Sequence, residues 1–252
     1  PGDWLYEHEE KGQSFEQYIK FKPVSPNEVQ KKIYLQPVGT FSALQQELIK
    51  STAEYLRIFF GLEIIIQPAI EDSIIPSTAR RLREDGHEQF LTTYIMDYLE
   101  KNIPQDAIVI MAITVNDLYP ADSWNFVFGQ ARLKKRVGVS SIYWYTDGPV
   151  DSSSYTLCLQ RLIKTSSHEI GHMFSCEHCT HAVCVMNGSN SVVESDSRPN
   201  RLCSECLKKL YWNLKFNLPE RYSMLENYFS ANKMDNDYQL ISRDREVFSA
   251  KR

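Results

Sequence analysis

A cluster of histidines and cysteines between residues 168 and 206 constrains this chain more than any other feature of its sequence. The cluster begins with His168 and His172, near the end of a predicted helix over 154–174. Histidines four residues apart project from one face of a helix, so both imidazoles can bind one Zn²⁺ ion. Glu169 lies about 100° further around the helix axis, where its carboxylate can reach a metal-bound water without binding the metal. The spacing therefore predicts a hydrolytic metal site at the end of this helix.

A third histidine, His178, follows six residues after His172 and completes the set of ligands. The helix must end near Ser175 for His178 to return to the same metal, and the metzincin pattern has a glycine at this turn. We expect Ser175 to adopt a left-handed conformation, which costs a serine about 1 kcal/mol. The Ser175→Gly change is then expected to raise stability or zinc affinity by a similar amount. Three protein ligands leave one coordination position open, which is typical of a catalytic rather than a structural zinc site.

Five of the six cysteines lie between residues 176 and 206, which indicates a second metal site. Clustering beside histidines favours metal binding in a reducing compartment over disulfides, which are usually spread through a fold. Two close pairs match the spacing of a four-cysteine structural zinc site: Cys179 with Cys184, and Cys203 with Cys206. The alternative is four free buried thiols. We interpret Cys158 and Cys176 as packing residues and His181 as an exposed loop residue.

Together these residues resemble the signature of the archaemetzincin family, a branch of the metzincin-type zinc peptidases with a second, cysteine-bound zinc. The likeness covers about residues 30–215 and includes the segments 118–131 and 186–190, which resemble animal members. The resemblance implies two zinc ions per chain, one catalytic and one structural, and hydrolysis of peptide bonds by a zinc-activated water. It suggests aminopeptidase action on short peptides. The implied roles are catalytic zinc ligands (His168, His172, His178), general base (Glu169), Met-turn packing beneath the histidines (Met186) and structural zinc ligands (Cys179, Cys184, Cys203, Cys206).

The remaining chain predicts an α/β fold. Predicted strands at 29–38, 62–67 and 106–114 alternate with predicted helices at 44–60 and 87–101, and the segment 69–86 between them is irregular. Such a pattern favours a mixed, mostly parallel sheet with packed helices, and the resemblance implies its metzincin-like form. Two more strands at 124–131 and 137–145 and a helix at 202–215 follow. We divide the chain into an irregular extension (1–28), a catalytic domain with the cysteine zinc site (29–230) and a frayed tail (231–252).

The strand predicted at 124–131 is a candidate edge for pairing with an extended peptide substrate. The residues concerned are Asn125, Phe126, Val127, Phe128 and Gly129. A plain core strand is the equally weighted alternative. Two histidines outside the cluster, His8 and His87, are interpreted as solvated.

Charge and hydropathy limit the partners of the protein. A net charge of −4 argues against a nucleic acid or an anionic membrane as the binding partner. The longest uninterrupted apolar run, 107–113, is far too short to span a bilayer. We expect a monomer that binds a peptide and lies inside the cell, in the cytoplasm or the nucleus. The alternative function is a zinc-stabilised protein with little activity that binds peptides or partners in its cleft; Ser175 favours this alternative and Glu169 argues against it.

Overall fold

A computed structural model describes residues 2–250, so Pro1, Lys251 and Arg252, the last two in the predicted tail, lie outside the described residues. Among these residues, five strands form a central sheet and three form a smaller one. The strands are β1 (Lys32–Val38), β2 (Glu63–Ile66), β3 (Arg80–Leu82), β4 (Glu88–Leu91), β5 (Ala107–Thr114), β6 (Asp117–Tyr119), β7 (Gly129–Arg132) and β8 (Val137–Ser141). The central sheet has the order β2-β1-β5-β8-β7 and is parallel except for β7. The small sheet has the order β3-β4-β6. The predicted α/β class with a mostly parallel sheet is confirmed.

Helices cover both faces of the central sheet. They are α1 (Trp4–Glu7), α2 (Phe15–Lys20), α3 (Ala43–Phe60), α4 (Thr92–Asn102), α5 (Tyr155–Met173), α6 (Val192–Asp196), α7 (Ser204–Leu214), α8 (Leu218–Ala231) and α9 (Asp235–Ala250). Side chains alternate along the fully buried strand β5: Val109 and Met111 join the core formed with α3 and α5, whereas Ile110 and Ala112 join the core formed with α4. A strand covered on both faces has a continuous apolar sequence, and this is why the sequence predicts β5.

Helix α5 packs against β7 and β8, and its last turns therefore lie beside the edge of the central sheet. Leu159, Leu162 and Ile163 form its buried apolar stripe. Helix α3, whose capping box at Ser42 fixes its start, packs alongside α5. The end of α5 that carries the histidines is thus held against two strands and a helix.

Several predicted elements are wrong in detail. The helix predicted at 87–101 begins as the strand β4, because Phe90 is buried there between β3 and β6, and turns helical at Thr92. The strand predicted at 124–131 is regular only in β7, and the one at 137–145 ends at Ser141, before a 3₁₀ turn. The segment predicted as irregular, 69–86, contains the strand β3.

Both ends of the chain are more ordered than the sequence predicts. The extension over residues 2–28 contains the helices α1 and α2 rather than irregular chain alone. The predicted tail contains α9, which packs on α8, and buries Ile241 and Asp237; the Asp237 carboxylate accepts hydrogen bonds from Asn200. Packing on α8, rather than local helix propensity, stabilises this largely polar helix. Over residues 2–250, no helix has the length and apolar character that a membrane crossing requires.

Candidate metal centres and active site

Three histidines converge at the end of α5. The Nε2 atoms of His168 and His172 lie 3.0 Å apart, and the ring centroid of His178 lies 5.2 Å and 4.9 Å from theirs. One ring nitrogen from each histidine lies within 4.8 Å of the others. The sequence spacing therefore brings together three nitrogen donors that can share one metal ion.

Hydrogen bonds fix the tautomers of the two helical histidines. Nδ1 of His168 donates to the carbonyl oxygen of Val185 (2.8 Å), and Nδ1 of His172 donates to that of Cys176 (2.6 Å). Each bond leaves the Nε2 lone pair free. Burial lowers the pKa of His168 to about 3 and that of His172 well below its ordinary value, so both rings are neutral near pH 7. Neutral imidazoles with converging lone pairs fit a zinc ion.

The turn at Ser175 returns the chain toward the site. Ser175 has φ of 70°, and its N–H donates to the carbonyl oxygen of His172, while the N–H of Cys176 donates to that of Gly171. These two bonds form a Schellman motif, in which the left-handed residue is usually glycine. The predicted conformation is confirmed, and serine at this turn does not keep His178 away from the other histidines. The hydroxyl of Ser175 accepts a hydrogen bond from the N–H of Val24 (3.2 Å), a contact that the sequence does not predict.

Met186 packs against α5 between the two helical histidines. A Cβ atom on Gly171 would lie 2.5 Å from its Sδ atom, so a side chain larger than hydrogen at position 171 would displace Met186. Met186 is fully buried. Its place is the packing position that the resemblance implies for the Met-turn.

Glu169 is buried in the same cavity as the histidines. Within residues 2–250 no charged side chain pairs with Glu169, and burial raises its pKa to about 8. A carboxyl group with a pKa close to neutrality can both accept and release a proton, as a general base and acid must. Gly129 of β7 approaches Glu169 so closely that a Cβ atom there would lie 2.9 Å from its Cγ and Oε1 atoms.

The cavity has a volume of about 770 Å³ and runs along the edge strand β7. Of the predicted substrate-edge residues, four line this cavity: Phe126, Val127, Phe128 and Gly129. Only Gly129 belongs to the regular strand. The carbonyl oxygen of Asn125 instead accepts hydrogen bonds from Arg81 (2.9 Å) and Gln89 (2.8 Å), which anchor the start of the segment.

The four cysteines of the predicted second site also converge. The sulfur atoms of Cys179, Cys184, Cys203 and Cys206 lie within 4.8 Å of one another, and all four side chains are buried. All six cysteines are free thiols, and Cys158 and Cys176 lie apart from this cluster, fully buried as packing residues. Hydrogen bonds from neighbouring thiols, the Cys184 thiol first, hold the pKa of Cys179 below its ordinary value. Four sulfur donors around one point fit a closed, structural zinc site.

Sequence reasoning missed the N-terminal segment, which we define as residues 2–24. Its Glu10 carboxylate accepts a hydrogen bond from Nδ1 of His178 (2.7 Å), and its Trp4 ring lies 5.1 Å from the His178 ring. The Trp4 indole packs on Gly188, and Glu10 lines the cavity. No local pattern could have identified these residues, because Glu10 and His178 are 168 positions apart.

Two histidines outside the cluster are less exposed than predicted. His8 is half-buried, and its ring centroid lies 4.0 Å from that of Trp4. His87 is not solvated: its side chain is 13% exposed and bridges Asp85 (2.5 Å) and Asp117 (3.0 Å). Its ring stacks on Tyr143 at a centroid distance of 4.8 Å. The network supports the small sheet beside the cavity, and His181 is exposed as predicted.

Comparison with known proteins finds the family that the residues at 168–206 resemble. The family model of peptidase family M54 matches residues 44–212. An archaemetzincin-2 from Pongo abelii is 35% identical over 274 residues, which cover 93% of this chain and 74% of that protein. The crystal structure of an archaemetzincin from Archaeoglobus fulgidus has a TM-score of 0.55 and 31% identity, covering 71% of this chain and 99% of that chain. An archaemetzincin from Methanopyrus kandleri has a TM-score of 0.59 and 27% identity, covering 75% and 98%.

Proposed function

This chain belongs to the archaemetzincin family of zinc metallopeptidases, peptidase family M54, and we propose that it hydrolyses peptide bonds in the cavity beside α5. The observation that carries the proposal is the convergence of three histidines with a buried carboxyl group in one cavity. Neutral His168 and His172 offer free Nε2 lone pairs, and Glu169 lies on the same helix turn. Few structural roles require this combination of donors.

His168, His172 and His178 would hold the catalytic zinc. A zinc ion in such a site lowers the pKa of water toward neutrality and polarises a carbonyl group. Glu169 accepts a proton from the attacking water and returns it to the nitrogen of the departing amine. Its place on α5 beside His168 and His172, in the same cavity, suits both transfers.

The substrate is a short peptide that lies extended along β7. The edge of the sheet leaves backbone groups for pairing with a peptide strand, and Phe126 and Phe128 supply apolar surface beside it. Trp4 and Gly12 of the N-terminal segment line the other side of the cavity, which favours short peptides over loops of folded proteins. We propose aminopeptidase action on such peptides, as the resemblance to the archaemetzincin family implies.

The four cysteines would hold a structural zinc ion. Thiolates bind zinc only when deprotonated, and a set of four leaves no position for water. Six free thiols support a reducing compartment, the cytoplasm or the nucleus, as the location of the protein. We further propose that the protein acts as a monomer on peptides, without nucleic acid or membrane.

Peptide hydrolysis by a base variant and a ligand variant tests the proposed function. Glu169→Gln keeps the shape of the side chain and the zinc, and turnover is expected to fall by about 10²–10⁴-fold. His172→Ala is expected to lose zinc and activity together. Hydrolysis at the wild-type rate by Glu169→Gln would exclude the mechanism. Free and N-acetylated versions of the same short peptides test the aminopeptidase assignment, because only the free amino terminus should be cleaved.

A further inference from the structure

The three histidines differ in the group that holds Nδ1. His168 and His172 donate to backbone carbonyl oxygens, and both are carried by α5. His178 lies in a loop after the turn at Ser175, and its Nδ1 donates to a carboxylate of the N-terminal segment, Glu10 Oε1, at 2.7 Å. His178, which no helix holds in place, is therefore the histidine whose Nδ1 partner is a carboxylate rather than a backbone carbonyl.

The Glu10 carboxylate has the His178 imidazole as its principal partner. The Glu10 side chain is 25% exposed, and among residues 2–250 no protein donor reaches its buried Oε2 atom. A carboxylate in this position is unfavourable unless positive charge lies nearby. A metal ion bound by His178 would supply such charge.

The N-terminal segment is anchored on both sides of Glu10. Gln13 donates from Nε2 to the carbonyl oxygen of Ser175 (3.1 Å) and accepts from the N–H of Glu177 (3.4 Å). The N–H of Trp4 donates to Oε1 of Glu194 at 3.0 Å. These contacts fix the segment against α6 and against the loop that carries His178, so the position of the carboxylate is set by packing and not by a single bond.

We propose that Glu10 is a positioning residue for the catalytic zinc site. Its carboxylate holds His178 in the tautomer with a proton on Nδ1, fixes the orientation of the ring, and makes Nε2 a stronger donor to the metal. The proposal rests on the proposed function, since it takes the three histidines as zinc ligands. It makes zinc binding at α5 dependent on a segment at the opposite end of the sequence.

Zinc affinity of the histidine site, measured by competition with a chromophoric chelator, tests the proposal without any substrate. Glu10→Ala is expected to weaken zinc binding at this site by about 10- to 100-fold. Glu10→Gln is expected to lose less, because its amide oxygen still accepts from Nδ1. Glu9→Ala removes the neighbouring exposed carboxylate and is expected to bind zinc as the wild type does.

A double-mutant cycle separates positioning from a general structural effect. In a His178→Ala background, Glu10→Ala is expected to cause no further loss of zinc affinity, because it acts through that imidazole. The zinc of the cysteine site and the melting temperature monitor folding, and if Glu10→Ala proves unstable the Glu10→Gln comparison decides. Wild-type affinity in the Glu10 variants, or an equal loss in the His178→Ala background, would overturn the proposal. Weakened zinc binding in Glu10→Ala, found together with an absence of peptidase activity in the zinc-loaded wild type, would refute only the proposed function.

Discussion

Ser175 shows how one residue combines backbone strain with a long-range contact. A left-handed serine costs roughly 1–2 kcal/mol, whereas a net hydrogen bond contributes about 0.5–1.5 kcal/mol. At this position the two effects oppose each other, since the hydroxyl accepts from the N–H of Val24. Glycine would relieve the strain but leave that N–H without its acceptor. The sequence-based expectation that glycine stabilises the turn therefore omits the loss of this hydrogen bond.

Two variants at this position separate the two contributions. Ser175→Ala removes the hydroxyl and keeps the strain, so the free energy of unfolding is expected to fall by about 1 kcal/mol. Ser175→Gly also lacks the hydroxyl but has no Cβ atom, so it is expected to be about 1 kcal/mol more stable than Ser175→Ala and close to the wild type. Urea unfolding of the zinc-loaded protein measures both differences. Equal stability of the alanine and glycine variants would show that the left-handed turn is not strained.

At the scale of elements, the active site depends on the approach of the edge strand β7 to α5. Gly129 lies against Glu169, and the distance between the strand and the helix allows only hydrogen at this position. The backbone of Gly129 is not left-handed, so space and not conformation explains the glycine. The strand thus limits the positions that the Glu169 carboxylate can occupy.

Gly129→Ala is expected to impair turnover while leaving zinc in place. The new Cβ atom would lie 2.9 Å from Glu169 and from the carbonyl oxygen of Val139, whose backbone is paired in the sheet and cannot yield. Glu169 must move, and a displacement of about 1 Å can reduce the rate by about 10²-fold. Steady-state kinetics and elemental zinc analysis check this outcome. The control is Gly148→Ala, where no atom lies within 4 Å of the added Cβ and both quantities should be unchanged; wild-type turnover in Gly129→Ala would contradict the argument.

At the scale of the whole molecule, the cysteine cluster connects the active-site loop to the C-terminal helices. Cys179 directly follows His178, and Cys203 and Cys206 lie at the start of α7, which packs on α2 of the N-terminal segment. A metal in this cluster would tie the loop that carries Cys179 and Cys184 to the start of α7. Structural zinc contributes to folding directly, because the unfolded chain has no preformed site.

Metal removal is expected to proceed in two stages. The histidine site, with one position open to solvent, should lose zinc first under mild chelation, with a small change in melting temperature. Removal of the second zinc, or the change Cys203→Ser, should lower the melting temperature strongly or prevent folding. Cys158→Ala is the matched control, since this buried thiol lies outside the cluster and two zinc ions per chain should remain. Elemental analysis that finds a single zinc per chain in the wild type would refute the two-site arrangement.

The sequence by itself determined the features that depend on local geometry. The spacing of the three histidines and four cysteines, the left-handed turn at Ser175 and the apolar strand β5 were all readable, because ligand spacing and side-chain periodicity reflect nearby backbone. The fold class followed from the same periodicity. These features are encoded within stretches of a few dozen residues.

Only the tertiary structure decided the contacts between distant segments. Glu10 lies on His178, the N–H of Val24 lies on Ser175, and α9 is helical where the sequence predicts a frayed tail. Phe90 lies buried in the strand β4 although its surroundings predict a helix. In each case the stabilising contacts come from residues outside the local segment. Local propensity cannot encode such contacts. The local sequence therefore determined the metal ligands of the active site. Tertiary packing determined which group holds the third histidine, His178, in place.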